Sequence, residues 1–250
     1  MAATKCKACE NDLILQVHED EDDPSSETLS FPDDLELPCG CHFHWQCVMD
    51  DAAQIAVSLK CPSCDAYLPA NQAGPSATNT VFHVSQGQRI PARYTSEGGV
   101  QDNYDILPEI TEEAYLEAHP EARPARAFHV MCAEGDVGGV VDLLKGAAEE
   151  GADPDAILRY QDPLSENKSA LHLAVEKQQE EIVWLLLWLA SSLHESNFPA
   201  EAIAAAQAMG VEQRGSGSDI RLLKDSEGRN AKEYALRVGG RLGALAETLG

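Results

Sequence analysis

The chain has 250 residues, of which 44% are hydrophobic and 24% charged, and its formal net charge at pH 7 is −24. This length suits one large domain or two modest ones. The charge argues against unaided binding to nucleic acid, which needs a basic surface, and against binding to anionic membranes. Residues 1–16 lack the apolar stretch of a signal peptide, and the run 182–190 is too short to cross a membrane. A cytoplasmic or nuclear protein is therefore expected.

The cysteines are concentrated in the first part of the chain. All but Cys132 come before residue 65, which indicates two domains of different kinds. In a reducing compartment, closely spaced cysteines indicate metal ligands rather than disulfides. The predicted organisation is a zinc module at 1–70, a linker with possible short strands at 71–108, and a helical domain at 109–250.

Eight candidate ligands form three linked motifs: Cys6-x2-Cys9, Cys39-x-Cys41-x2-His44-x2-Cys47 and Cys61-x2-Cys64. Two thiolates separated by two residues can turn toward one ion, and eight ligands complete two tetrahedral zinc sites. Since no coordination position stays open, both zinc ions are predicted to be structural, without metal-activated water. The acidic stretch 18–27 lacks the glycine and ligand spacing of a calcium loop and is predicted to be a solvated loop.

The three motifs together resemble the RING finger family, with Cys-Lys-Ala-Cys, Leu-Pro-Cys-Gly-Cys-His-Phe-His-Trp-Gln-Cys and Cys-Pro-Ser-Cys in the family's order across 6–64. The resemblance implies a short β-hairpin plus helix and ligand pairs that alternate between the two ions. One zinc would then be held by Cys6, Cys9, His44 and Cys47, and the other by Cys39, Cys41, Cys61 and Cys64. His42 directly follows Cys41 and is the alternative fourth ligand. Cys41 is favoured because it has the family spacing and a softer donor.

The resemblance also implies a function. RING proteins are typically ubiquitin ligases that position a ubiquitin-loaded conjugating enzyme and have no catalytic nucleophile, so no catalytic residue is assigned here. Ala8 and Pro62 stand at docking positions of the family. Pro62 is the proline expected there, whereas Ala8 stands where isoleucine or leucine is frequent and offers little contact. Asp51 stands where a tryptophan is frequent, and Asp65 where a basic residue is frequent. Nearby apolar residues could replace the lost contacts: Trp45, Val48, Met49 and Ile55. The alternative is that they are core of the helix after Cys47, and this interpretation is favoured for Trp45 and Ile55.

The segment after the zinc module has the small, polar composition of a linker from 71 to 80. Short strands are predicted at 81–84 and 88–94, with a hairpin through Gly87. A helix is predicted to begin near Thr111, because threonine is a good N-cap and glutamates follow in the first turn.

Three segments in the second half share a helical pattern: Ala127-Phe-His-Val-Met131, Ala170-Leu-His-Leu-Ala174 and Ala231-Lys-Glu-Tyr-Ala235. Each precedes a second apolar-periodic helix, at 140–145, 181–192 and 242–249. They resemble ankyrin repeats, although Met131 departs from the small residue expected there and the spacing departs from the period of about 33. A further helix is predicted at 200–209. Trp184 and Trp188 are interpreted first as core and second as a partner surface.

The sequence thus predicts a multidomain chain, with a small RING module followed by an all-α ankyrin-like repeat domain. The expected function is a RING-type ubiquitin ligase that recruits a conjugating enzyme through the zinc module and a protein substrate through the repeats. The alternative is a zinc-stabilised protein-interaction scaffold without ligase activity, which the departures at Ala8, Asp51 and Asp65 favour.

Overall fold

A computed structural model describes residues 4–18, 28–70, 88–213 and 217–250. The chain divides into two compact units, Met1–Pro120 and Glu121–Gly250. Across the described ranges it is a mixed α/β protein, with eleven α-helices and three small antiparallel sheets. The acidic loop predicted at 18–27 and the strand predicted at 81–84 lie outside the described residues, apart from His18.

The strands of the first unit form two sheets. β1 pairs with β2, and the other four strands form a sheet in the order β4-β3-β5-β6. In this sheet Leu35 stands opposite Phe43 on one side and Tyr94 on the other. The strand bounds are β1 Ile14–His18, β2 Thr28–Pro32, β3 Asp34–Glu36, β4 His42–Phe43, β5 Pro91–Ser96 and β6 Gly99–Asp105.

Three helices complete the first unit: α1 Trp45–Met49, α2 Ala52–Ser58 and α3 Leu107–Ala118. The last helix packs on the other two and begins one turn before the predicted start at Thr111. The earlier start has a local cause, because the Asp105 carboxylate accepts a hydrogen bond from the Leu107 N–H at 3.3 Å. Thr111 is buried inside the helix, where its hydroxyl donates to the Leu107 carbonyl at 2.7 Å.

The core of the first unit joins the cysteine-rich segment to residues after position 88. Leu35, Ile55, Ile90 and Ile110 are all fully buried in one cluster that also contains Cys6 and Cys61. The described part of the predicted linker, from residue 88, therefore forms strands β5 and β6 of this core. The hairpin there turns between Ser96 and Gly99, whereas Gly87, where a hairpin was predicted, lies outside the described residues.

The second unit is mostly helical. Its helices are α4 Arg123–Glu134, α5 Val137–Glu149, α6 Pro154–Leu158, α7 Ala170–Glu176, α8 Glu180–Ala190, α9 Ala200–Ala208, α10 Ala231–Val238 and α11 Gly240–Ala244. Two short strands, β7 Gln161–Asp162 and β8 Lys168–Ser169, pair directly before α7. The helix ends follow local signals: Gly135 ends α4 in the left-handed region with φ 84°, and Asp136 caps α5 through the Gly139 N–H.

The predicted all-α ankyrin-like repeat domain is wrong. Helix pairs do lie at the three predicted places, but the strands β7 and β8 and four short 3-10 helices also occur among the described residues. The segments between the pairs belong to the same core, since Ile157, Leu158, Phe198 and Ile220 are buried within it. Helical periodicity located the paired helices and α9, although the helix predicted at 242–249 ends at Ala244 and α6 was not predicted. It carries no information about how the intervening segments fold.

Candidate metal centre

The first two ligands lie in a tight turn that the backbone closes by itself. Lys5 and Asp12 form an antiparallel bridge, and inside it the Cys6 N–H donates to the Asn11 carbonyl at 2.9 Å. The Glu10 N–H donates back to the Cys6 carbonyl at 3.0 Å, with Glu10 in the left-handed region at φ 62°. This geometry turns Cys6 and Cys9 toward the same point.

The last two ligands lie in a second turn with the same pattern. Lys60 and Tyr67 form the antiparallel bridge, and the Cys61 N–H donates to the Ala66 carbonyl at 2.9 Å. The Asp65 N–H donates to the Cys61 carbonyl at 3.0 Å, with Asp65 at φ 60°. Glu10 and Asp65 therefore occupy equivalent backbone positions in the two turns.

The four central ligands come from the β3–β4 connection and the start of α1. Gly40, at φ 80°, lies between Cys39 and Cys41, where the Leu37 N–H donates to the Cys41 carbonyl at 2.9 Å. After β4, His44 is the N-cap residue of α1 and Cys47 lies on its first turn. A single short segment thus supplies ligands to both groups.

The side chains meet in two separate groups, each with four ligand atoms within 4.8 Å of one another: Cys6, Cys9, His44 and Cys47, and Cys39, Cys41, Cys61 and Cys64. Four sulfurs around a tetrahedral ion with bonds of about 2.3 Å would be about 3.8 Å apart. Both groups therefore fit a metal ion such as zinc in size and donor type. They have the same members as the two ligand sets predicted from the sequence.

The His44 ring has the tautomer that a metal ligand needs. Its Nε2 lies 2.9 Å from the Asp12 carbonyl, which can only accept, so Nε2 carries the proton. In the neutral ring Nδ1 is then the lone-pair nitrogen, and it faces the sulfurs of Cys9 and Cys47 at 3.3 and 3.8 Å. A backbone carbonyl behind a histidine fixes both the ring orientation and the tautomer.

His42 is turned away from both groups. Its Nδ1 lies 2.7 Å from the carboxylate of Asp34 on the neighbouring strand, and the residue joins neither cluster among the described residues. Cys41 is the residue brought beside Cys39, Cys61 and Cys64. Of the two alternatives for the fourth ligand, the geometry favours Cys41.

The electrostatics of the groups also suit a cation. Burial raises the pKa of Cys39 and of Cys47 to about 12. Burial would raise the pKa of Cys6 as well, but hydrogen bonds from the backbone N–H groups of Cys9, His44 and Ala8 lower it to about 6. Sulfurs this close cannot all ionise without a positive charge between them, and a divalent ion would supply that charge.

A polar and aromatic cluster supports the first group from behind. The buried Asp33 carboxylate accepts hydrogen bonds from the backbone N–H of Trp45 at 3.2 Å and from the Tyr94 hydroxyl at 3.0 Å. The Trp45 ring packs against Tyr94 and Tyr104, with ring centroids 5.2 and 6.2 Å apart. Because Trp45 directly follows His44, this cluster positions α1 and its ligands. Neither Asp33 nor Tyr94 stood out in the sequence, because a lone acid and a lone tyrosine carry no motif.

The predicted docking positions lie in different environments. Ala8 is exposed and Pro62 is half-buried. Asp65 is exposed and pairs with Lys60 at 2.9 Å, while Asp51 precedes α2 as its N-cap. Of the residues that could replace lost docking contacts, Trp45 is half-buried in the aromatic cluster and the other three are buried core: Val48, Met49 and Ile55.

No protein-family model, curated protein or solved structure matches this chain. Within the described residues, no helix combines the length and apolar character needed to cross a membrane. Function is therefore inferred from the geometry of the two ligand groups and from the second unit.

Proposed function

We propose that the first unit binds two structural zinc ions and acts as a RING-type ubiquitin ligase module. The observation that carries the proposal is the interleaving of the two groups along the chain. The turn at Cys6 joins His44 and Cys47, whereas Cys39 and Cys41 join the turn at Cys61. Sulfur and imidazole donors in closed sets of four are typical of structural zinc.

The proposed activity is positioning. With four protein ligands for each ion, no coordination site is left for substrate. In the proposal, the surface that the ions stabilise binds and orients the reactants. Orienting two reactants can supply several kcal/mol of a barrier without a nucleophile. In the proposal, the exposed turn around Ala8 and the turn around Pro62 contact a ubiquitin-conjugating enzyme, and the second unit binds a protein substrate.

The test is single-turnover discharge of ubiquitin from a panel of loaded conjugating enzymes, using the intact chain. We expect acceleration by the wild-type chain, two zinc ions per chain by elemental analysis, and loss of both zinc and acceleration in Cys61→Ala. Full zinc content without acceleration across a broad panel would contradict the ligase proposal and leave the zinc assignment intact.

A charge change in the second turn sharpens this test. Asp65→Arg places a basic residue where RING proteins frequently carry one, so we expect discharge to accelerate relative to wild type. Glu10→Arg is the matched control, because it has the same backbone conformation and charge change in the first turn. Equal effects of the two variants would point to bulk charge and argue against a specific ubiquitin contact at residue 65.

A zinc-stabilised interaction scaffold is the second candidate, and one observation favours it. Val48, Met49 and Ile55 are 0–7% exposed, so they cannot replace the docking contacts that are lost at Ala8 and Asp51. Lack of discharge by wild type and by Asp65→Arg, from protein that holds two zinc ions, would favour the scaffold.

A further inference from the structure

The second unit contains an open groove with a volume of about 620 Å³. It runs between α8 and α9, and its floor is formed by Trp184, Leu185, Trp188 and Ala206. This volume lies within the range of about 300–1,000 Å³ that is usual for ligand sites. None of these residues belongs to the candidate metal centre.

The two tryptophans of the floor are held differently. Trp188 is 7% exposed and its indole N–H donates to the Val211 carbonyl at 3.2 Å. Trp184 is half-buried and packs against Phe198, with ring centroids 5.8 Å apart. Its indole N–H has no acceptor among the described residues. A rigid aromatic surface with a spare donor is suited to a ligand that presents both an apolar group and a carbonyl.

The rim of the groove is acidic. Glu180 and Glu181 begin α8, and Glu201 lies on the first turn of α9. Among the described residues that line the groove, the only basic one is Arg241. Arg241 pairs with Glu180 at 3.5 Å and is 89% exposed, so this pair is weak and open to exchange. The groove thus combines an apolar floor with an excess of negative charge at its edge.

We propose that this groove binds a short peptide segment of a partner protein, in which apolar side chains are flanked by lysine or arginine. The apolar side chains would cover the Trp184 and Trp188 rings, and a peptide carbonyl would accept from the Trp184 N–H. The flanking cations would pair with Glu181 and Glu201 and could displace Arg241 from Glu180. A cation over the Trp184 ring would add to the attraction.

As a statement about binding, the proposal stands alone; as the substrate class of the ligase, it rests on the proposed function. The two can fail separately. Peptide binding without ubiquitin discharge would contradict the ligase proposal and support the peptide-binding groove. Discharge without peptide binding would support the ligase proposal and contradict the peptide-binding groove.

The experiment is fluorescence anisotropy of a fluorescein-labelled peptide with two central leucines and two basic residues on each side, titrated with the full-length chain at about 0.15 M salt. Saturable binding is expected. A peptide with glutamate flanks and one with serines for the leucines should both bind at least about tenfold more weakly, because affinity needs the charge and the apolar centre together.

Two variants separate the groove from the overall negative charge. Ala205 lines the groove and Ala204 does not, although both are exposed neighbours on α9. Ala205→Lys should weaken binding by about tenfold, because it obstructs the groove and offsets its charge, and Ala204→Lys by less than about twofold. Equal losses in the two variants, or no saturable binding of the basic peptide to wild type, would overturn the proposal.

A second pair of variants tests the rim. Glu180→Gln together with Glu181→Gln should reduce affinity about tenfold, and the reduction should shrink as salt is raised. Glu149→Gln together with Glu150→Gln removes an equal charge from the exposed end of α5, which does not line the groove. A larger loss of affinity in the Glu180 and Glu181 variant than in the Glu149 and Glu150 variant supports binding in the groove, and equal losses contradict it.

Discussion

The two units are stabilised in different ways. The first has short strands and helices, and its core includes two of its own ligand residues, Cys6 and Cys61. The second has a continuous apolar core in which Phe128, Leu171 and Leu186 are fully buried. With zinc bound as proposed, eight ligand side chains add to the apolar core of the first unit, whereas the stability of the second unit is spread over many apolar side chains. Variants should therefore separate the two units by the size of their effects.

The largest effect is expected from the loss of one ligand. Cys61→Ala opens a closed set of four, and structural zinc contributes roughly 10–16 kcal/mol of apparent folding free energy. We expect the first unit to unfold and the thermal transition of the second unit to remain, as measured by calorimetry with elemental analysis. Cys132→Ala is the control, since Cys132 is buried in the second core and joins neither ligand group. It should leave the zinc content unchanged.

The next effect belongs to the second core. Phe128→Ala leaves a cavity at a fully buried position and should cost about 3–5 kcal/mol of the free energy of unfolding. Urea unfolding should show this loss in the second unit, with zinc content unchanged. Leu236→Ala is the matched control, because that side chain is 62% exposed on α10 and should cost less than about 0.5 kcal/mol. Similar costs for both would contradict a core centred on Phe128.

A smaller effect should depend on pH. Burial would raise the pKa of Asp225, but hydrogen bonds from the Tyr234 hydroxyl and from the backbone and side chain of Arg229 hold it well below its usual range. A depressed pKa contributes stability that is present above the unfolded-state value of about 3.9 and is lost as the pH falls below it.

Asp225→Asn tests this contribution directly. The variant should lose about 1.5–3 kcal/mol at pH 7 and show a smaller further loss between about pH 5 and pH 2 than wild type, because asparagine does not titrate. Urea unfolding of the second unit across this range is the measurement. An unchanged acid slope in Asp225→Asn would contradict the assignment.

The smallest effect concerns the support of the metal centre. Tyr94→Phe keeps the ring beside Trp45 but removes a hydrogen bond to the buried Asp33 carboxylate, at a cost of about 1–3 kcal/mol. Zinc should pass to a competing chelator faster than from wild type. Tyr104→Phe is the control, since its hydroxyl donates to Glu109 on α3 instead. Equal rates for the two variants would indicate that the Asp33 contact does not support the centre.

The eight candidate ligands could be predicted from spacing, because a metal site needs particular donors at short separations. Their division into two interleaved groups was expected only from the resemblance to RING fingers. The contribution of β5, β6 and α3 could not be predicted in this way. Tyr94 reaches Asp33 across 61 positions of the chain, and no local pattern marks such a contact. The described part of the predicted linker consequently carries half of the main sheet.

In the second unit, the periodicity of apolar residues located most of the helices but did not predict the fold class. Ala170 to Glu176 and Glu180 to Ala190 are helical as expected. The strands that pair Gln161 with Ser169 have only two residues each. Two residues are too few for an alternating pattern of apolar and polar side chains to indicate a strand. The groove could not be predicted either, because Trp184 and Ala205 line it only once α8 and α9 pack together.

The distribution of tryptophan gives the molecule an internal optical probe for each unit. Of its three tryptophans, Trp45 follows a candidate zinc ligand, whereas Trp184 and Trp188 line the groove. Removal of metal should expose the Trp45 indole to water and shift its emission to longer wavelength. In a Trp45→Phe chain, the remaining emission reports the groove alone. Chelation and peptide binding can therefore be followed as two separate signals in one unlabelled protein.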